Sequence, residues 1–82
     1  EAAQLFPNPF RENLGLLLSN HQQVEYELEI VDTQGKRYWN GQISHTPQQS
    51  NLEMDTTQWP AGLYFVRVTV GSQTTVYKVI KQ

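Results

Sequence analysis

Glu25, Glu27 and Glu29 occupy alternate positions of Val24–Val31 and put three carboxylates on one side of an extended chain. Paired carboxylates are the tools of general acid–base chemistry. Here Val24, Tyr26, Leu28 and Ile30 fill the other side, so the acidic stripe reads as the solvated, edge-protecting face of an amphipathic strand. His21 and His45 are the candidates for metal ligation, but each sits in a polar stretch without a companion at metal-ligand spacing. With no cysteine there is no thiolate nucleophile or thiolate metal site, and no nucleophile elbow, phosphate loop or zinc motif is present. No enzyme, cofactor or metal site is expected. Tyr38, Trp39 and Trp59 could stack on sugar rings, although in so small a chain core packing is the stronger reading.

The elements that would carry these residues are strands. The chain has 82 residues, 38% of them hydrophobic and 17% charged. That is room for one domain, which buries only about 60% of its unfolded surface and leaves no large internal cavity. Abundant Gln, Thr and Asn fit an all-β domain better than a helical bundle. A formal net charge of -2 with scattered cations excludes the electrostatic footprint of a nucleic-acid binder. No apolar run reaches the roughly 18 residues of a membrane-spanning helix. The opening EAAQLFPNPF is unlike a signal peptide, and the abrupt start suggests a fragment of a longer chain.

In chain order, Gln4-Leu5-Phe6 is a short strand stopped by Pro7-Asn8-Pro9-Phe10, a rigid bend that pins an aromatic ring at each end. Asn13–Ser19 is a second strand, Asn20–Gln23 a loop, and Val24–Val31 the clearest strand of all. Asp32-Thr33-Gln34-Gly35 is a turn with Asp placed to cap the backbone and Gly at the fourth position. Lys36–Ile43 returns as a strand in which Gly41 marks a bulge or a close backbone approach. Ser44–Ser50 reads as polar loop and Asn51–Met54 as a short strand. Pro60-Ala61-Gly62 is another turn.

The chain is organised around its last segment, Trp59–Gln82. Gly71-Ser72 between two runs rich in Val, Thr and Tyr suits a type II′ hairpin turn, because glycine reaches φ > 0 without steric cost. If Val70 faces Gln73, one face collects Tyr64, Val66, Val68, Val70, Thr75, Tyr77 and Val79, which is the expected core. The other collects Leu63, Phe65, Arg67, Val76, Lys78 and Ile80, an unusual mixture for a solvated face. Six or seven short strands with regular turn signals and no helical periodicity predict an all-β, Ig-like antiparallel sandwich of about seven strands, a single domain over residues 1–82.

Four motifs follow one another in a telling order: Pro7-Asn8-Pro9-Phe10; Ile30 to Lys36 with Asp32 and Gly35 at the turn; Pro60-Ala61-Gly62-Leu63-Tyr64-Phe65-Val66; and Lys78-Val79-Ile80-Lys81-Gln82 at the end. The series resembles the type A C-terminal sorting domains of the bacterial type IX secretion system over nearly the whole chain. One departure is Trp59, where the family usually has a medium aliphatic residue. The resemblance implies a non-catalytic domain fused behind a cargo protein, which passes through the periplasm and is directed through the outer-membrane translocon. It further implies removal by a sortase-like peptidase, with the cargo released or held at the cell surface.

Within that frame, Leu63, Phe65, Val76 and Ile80, bracketed by Arg67, Lys78 and Lys81, are the expected receptor-docking patch, with Val79 and Gln82 completing the sorting motif. Pro7, Asn8, Pro9, Phe10, Asp32, Gly35, Lys36, Pro60, Gly62 and Tyr64 are the expected structural positions. The competing expectation for the patch is that the Phe6–Phe10 bend or another strand covers it. The competing function is an Ig-like carbohydrate- or protein-binding module retained on a secreted protein.

Overall fold

Alternation and turn chemistry resolve into strands throughout the computed structural model, which describes residues 3–19, 24–45 and 49–82. The strands are β1 (Ala3–Phe6), β2 (Asn13–Ser19), β3 (Val24–Asp32), β4 (Arg37–His45), β5 (Gln49–Asp55), β6 (Gly62–Val70) and β7 (Gln73–Lys81). They form two antiparallel sheets, of order β1-β2-β5 and β4-β3-β6-β7. The chain changes sheet after β2, after β4 and after β5, as in an Ig-like sandwich.

The core forms where the inward positions of the two sheets meet. Leu14, Leu16, Leu18 and Met54 come from one side; Tyr26, Leu28, Ile30, Tyr64, Val66, Val68 and Val79 from the other. Each aliphatic side chain so buried contributes about 1.5–3 kcal/mol over leaving it in water. The period of two in β3 and β6 thus decides which face is inside.

Sheet order corrects one expectation. β3 lies between β4 and β6, so Glu25, Glu27 and Glu29 do not protect an edge. Their carboxylates instead accept hydrogen bonds from neighbouring strands: from Ser44 Oγ to Glu25 (3.2 Å), from Gln42 Nε2 to Glu27 (3.5 Å), and from Arg37 and Arg67 to Glu29. Alternation along a strand reports its faces; its neighbours depend on topology.

The expected loop at Ser44–Ser50 is strand at both of its ends, and residues 46–48 lie outside the described residues. Ser44 and His45 close β4, and Gln49 and Ser50 open β5. Ser44 pairs with Glu25 on the solvated face, where a polar side chain suits a strand. His45 therefore lies in a strand, while the Asn20–Gln23 loop with His21 falls outside the described residues.

Two glycines are covered by aromatic rings. Phe6 pairs with Gly15, and a Cβ on Gly15 would sit 2.7 Å from the Phe6 ring. At Gly41 the close neighbour is the Trp39 ring, 3.0 Å from where a Cβ would sit, and not the expected backbone. The bulge falls at Tyr38 instead: Ile30 pairs with Trp39 and Val31 with Arg37, leaving Tyr38 over. The extra residue carries the Tyr38 ring to 5.3 Å from Trp59 and 5.2 Å from Tyr64.

Candidate functional site

The closing hairpin has the anticipated register. Val70 pairs with Gln73 across Gly71, whose φ of 60° is in the left-handed region. A type I′ turn would need positive φ at Ser72 as well, and Ser72 does not have it, so the turn is type II′. This register pairs Leu63 with Ile80, Phe65 with Lys78 and Arg67 with Val76 on the outer face. Val76 is 52% exposed and Ile80 48%, with Leu63 and Phe65 half-buried between them and β3. The bend does not cover this face. Val31, opposite Phe65 on β3, extends the apolar surface. Its odd position in a strand whose even positions face inward is the sequence signal that places it outward.

The three cations of the expected patch have different environments. Arg67 donates to Glu29 Oε1 at 2.7 Å, and Arg37 to the other carboxylate oxygen at 3.0 Å, a line of charge across β6, β3 and β4. Lys78 is exposed beside Phe65 and, among the described residues, has no carboxylate partner. Lys81 is a correction. It is only 9% exposed and points to the opposite face from Lys78, because three residues along a strand reverse the side. Its Nζ donates to the Arg11 carbonyl and lies 6.0 Å from the Phe10 ring centroid. Lys81 therefore ties the bend to the last strand and does not bracket the outer patch.

The bend and the tail hold each other. Phe10 N–H donates to the Ile80 carbonyl (2.8 Å) and Gln82 N–H to the Phe10 carbonyl (2.9 Å). Asn8 supplies the next pair from its side chain: Oδ1 accepts from Ile80 N–H at 3.1 Å and Nδ2 donates to the Lys78 carbonyl at 3.4 Å. The carboxamide thus stands where a peptide group of a neighbouring strand would. The peptide bonds preceding Pro7 and Pro9 are both cis. Lys78–Lys81 consequently pairs with β6 on one side, while the Lys78 carbonyl, both backbone groups of Ile80 and the Gln82 N–H are held by residues 8–10 on the other.

Behind the tail lies an aromatic cluster. Phe10, fully buried, meets Trp59 edge-on at 6.3 Å and Tyr64 at 6.0 Å. Trp59 also lies 5.3 Å from Tyr64, so the unexpected residue before Pro60 completes the packing. Tyr64 O–H donates to the Pro60 carbonyl, a tyrosine corner at the start of β6. Burial, with Tyr38 close by, pushes its pKa up to about 12. At the other turn, Asp32 Oδ1 accepts from the amides of Gln34 and Lys36, both at 2.9 Å, and Gly35 adopts φ 86°. Desolvation pushes the Asp32 carboxyl up, but the Lys36 and Gln34 amides and the Tyr38 hydroxyl outweigh it and hold the pKa below its ordinary value.

Over residues 4–82 the chain matches the family described as Secretion system C-terminal sorting domain. No curated protein matches it. Among solved structures it is similar to the crystal structure of dimeric latent PorU from Porphyromonas gingivalis, with a TM-score of 0.79 and 21% identity. That likeness covers 98% of this chain and 9% of the other, and it establishes a shared fold.

Proposed function

The chain belongs to the family of type IX secretion C-terminal sorting domains, and from that premise we propose that the secretion machinery reads it as a folded surface, on the outer face of the closing hairpin. It is a secretion signal domain of a secreted or cell-surface protein, in a family that is generally non-catalytic. The cargo is fused ahead of it, passes through the periplasm with the domain folded, and is handed to the outer-membrane translocon. A sortase-like peptidase then removes the domain.

The observation that carries this reading is that Lys78–Lys81 pairs with β6 while Ile80 and Gln82 are bonded on the other side to residues 8–10. A segment held in this way is not itself a loose peptide. What stays at least partly open is an apolar strip, Val31, Leu63, Phe65, Val76 and Ile80, with Lys78 as a cation that has no carboxylate partner among the described residues. Apolar anchors supply burial, and a single charge at their margin orients the partner. Lys81 and Gln82 serve the same end indirectly, by holding β7 in place.

The test is secretion of a reporter with and without residues 1–82 in a host that carries the system, together with intact-mass analysis of the released product. Export that requires the domain, with the domain absent from the product, supports the reading. Export without the domain, or a product that retains it, contradicts it.

A further inference from the structure

The hydrogen-bonding edge of β7 is closed over only part of its length. Since Val70 and Gln73 pair across a two-residue turn, odd-numbered residues of β7 direct their amides at β6 and even-numbered ones direct theirs outward. Ile80 and Gln82 use their outward groups on Phe10 and Asn8. Further up the strand, the outward N–H and C=O groups of Thr74 and Val76 and the N–H of Lys78 meet no partner among the described residues.

The other sheet margins carry protection of the kind that blocks edge pairing. β1 has four residues and ends in the double-proline bend, β4 has the bulge at Tyr38, and β5 presents Glu53 and Asp55. Gln73–Tyr77 has no proline, bulge or charge.

Beside this open edge, the two sheets part to leave an open cleft of about 370 Å³, lined by Leu5 and Phe6 of β1 and by Tyr77 and Val79 of β7. Lys78 marks one end of the edge with an uncompensated cation. We infer that Thr74–Lys78 is a strand-addition site for an extended acidic-apolar peptide segment of a partner protein. Its backbone continues the ladder beyond Asn8. An apolar side chain enters the cleft against Leu5 and Tyr77, and on the outer side an apolar residue meets Val76 and a carboxylate meets Lys78. The inference does not depend on which component docks on the hairpin face.

The probe is a fluorescent peptide of about eight residues alternating leucine with valine and glutamate, titrated into the 82-residue chain by anisotropy. Val76→Pro deletes an outward N–H and leaves the bonds to β6 in place, so the fold survives while the edge is blocked. Binding by the native chain, weakened about tenfold by Val76→Pro, by Lys78→Glu and by N-methylation of the peptide backbone, is the expected result. Thermal melts confirm that each variant is folded. No binding by the folded native chain, or binding indifferent to Val76→Pro, overturns the inference. So does self-association that Val76→Pro abolishes without any peptide binding, which would put a second copy at this edge.

Discussion

The two faces of the β6–β7 hairpin are built from the same residue types and serve opposite ends. On the inner face Tyr64, Val66, Val68 and Val79 are buried against the other sheet, and every polar device near them points inward: the Tyr64 corner, Thr56 Oγ1 on the Arg11 carbonyl, Lys81 on the same carbonyl. On the outer face Val76 and Ile80 stay about half exposed among the described residues. Burial accounts for these four residues of the first face. It gives no reason for the second, and the unexplained apolar surface is what a receptor can use.

The contrast breaks most severely at Phe10. Phe10→Ala empties the space between bend and tail and is expected to destabilise by about 3–5 kcal/mol, measured by denaturant unfolding, with export lost as a consequence. Gly62 comes next: its φ of 146° belongs to glycine, and Gly62→Ala is expected to cost about 1–3 kcal/mol. Normal thermal stability with failed export in that variant would show that Gly62 acts in recognition. Outer-face changes reverse the pattern. Val76→Ser and Ile80→Ser should alter stability by no more than about 0.5 kcal/mol each, because their side chains are already half in water.

Titration separates the faces again. Tyr64 has a pKa raised from 10.0 to about 12, so burial favours its neutral form. Its stability contribution is complete below pH 10 and is lost as pH rises toward 12. Tyr64→Phe should flatten that alkaline decline in thermal melts. Asp32 runs the other way. Its folded pKa lies below 3.8, so its contribution is present above 3.8 and fades as pH falls through the lower folded value. The outer charge line also has a small effect: Glu29→Gln is expected to cost roughly 0.2–1 kcal/mol because both arginines remain more than half exposed.

Much of this was legible in the sequence because two local rules applied cleanly. Gly71-Ser72 set the hairpin register, and alternation in Val24–Val31 set which side chains face inward. What stayed hidden depended on non-local placement. The Glu25–Glu29 stripe looked like an edge because a strand's own pattern does not name its neighbours. Asn8 looked like one residue of a bend, whereas its carboxamide closes the margin of a strand some 70 positions away. Lys81 looked like a surface cation by charge; its parity with Val79 already placed it on the inner side. Packing was the expected role of Trp59, but its partners Phe10, Tyr38 and Tyr64 come from separate segments that the sequence does not bring together.

The central claim is that the folded hairpin face, and not a loosened tail, carries the sorting signal. Export of a reporter fused to Val76→Ser/Ile80→Ser/Lys78→Glu tests it most directly, alongside thermal melts of the same domain. A domain that melts like the native one yet leaves its reporter unexported is the predicted result. Native-level export from the folded triple variant would contradict the claim and place recognition elsewhere.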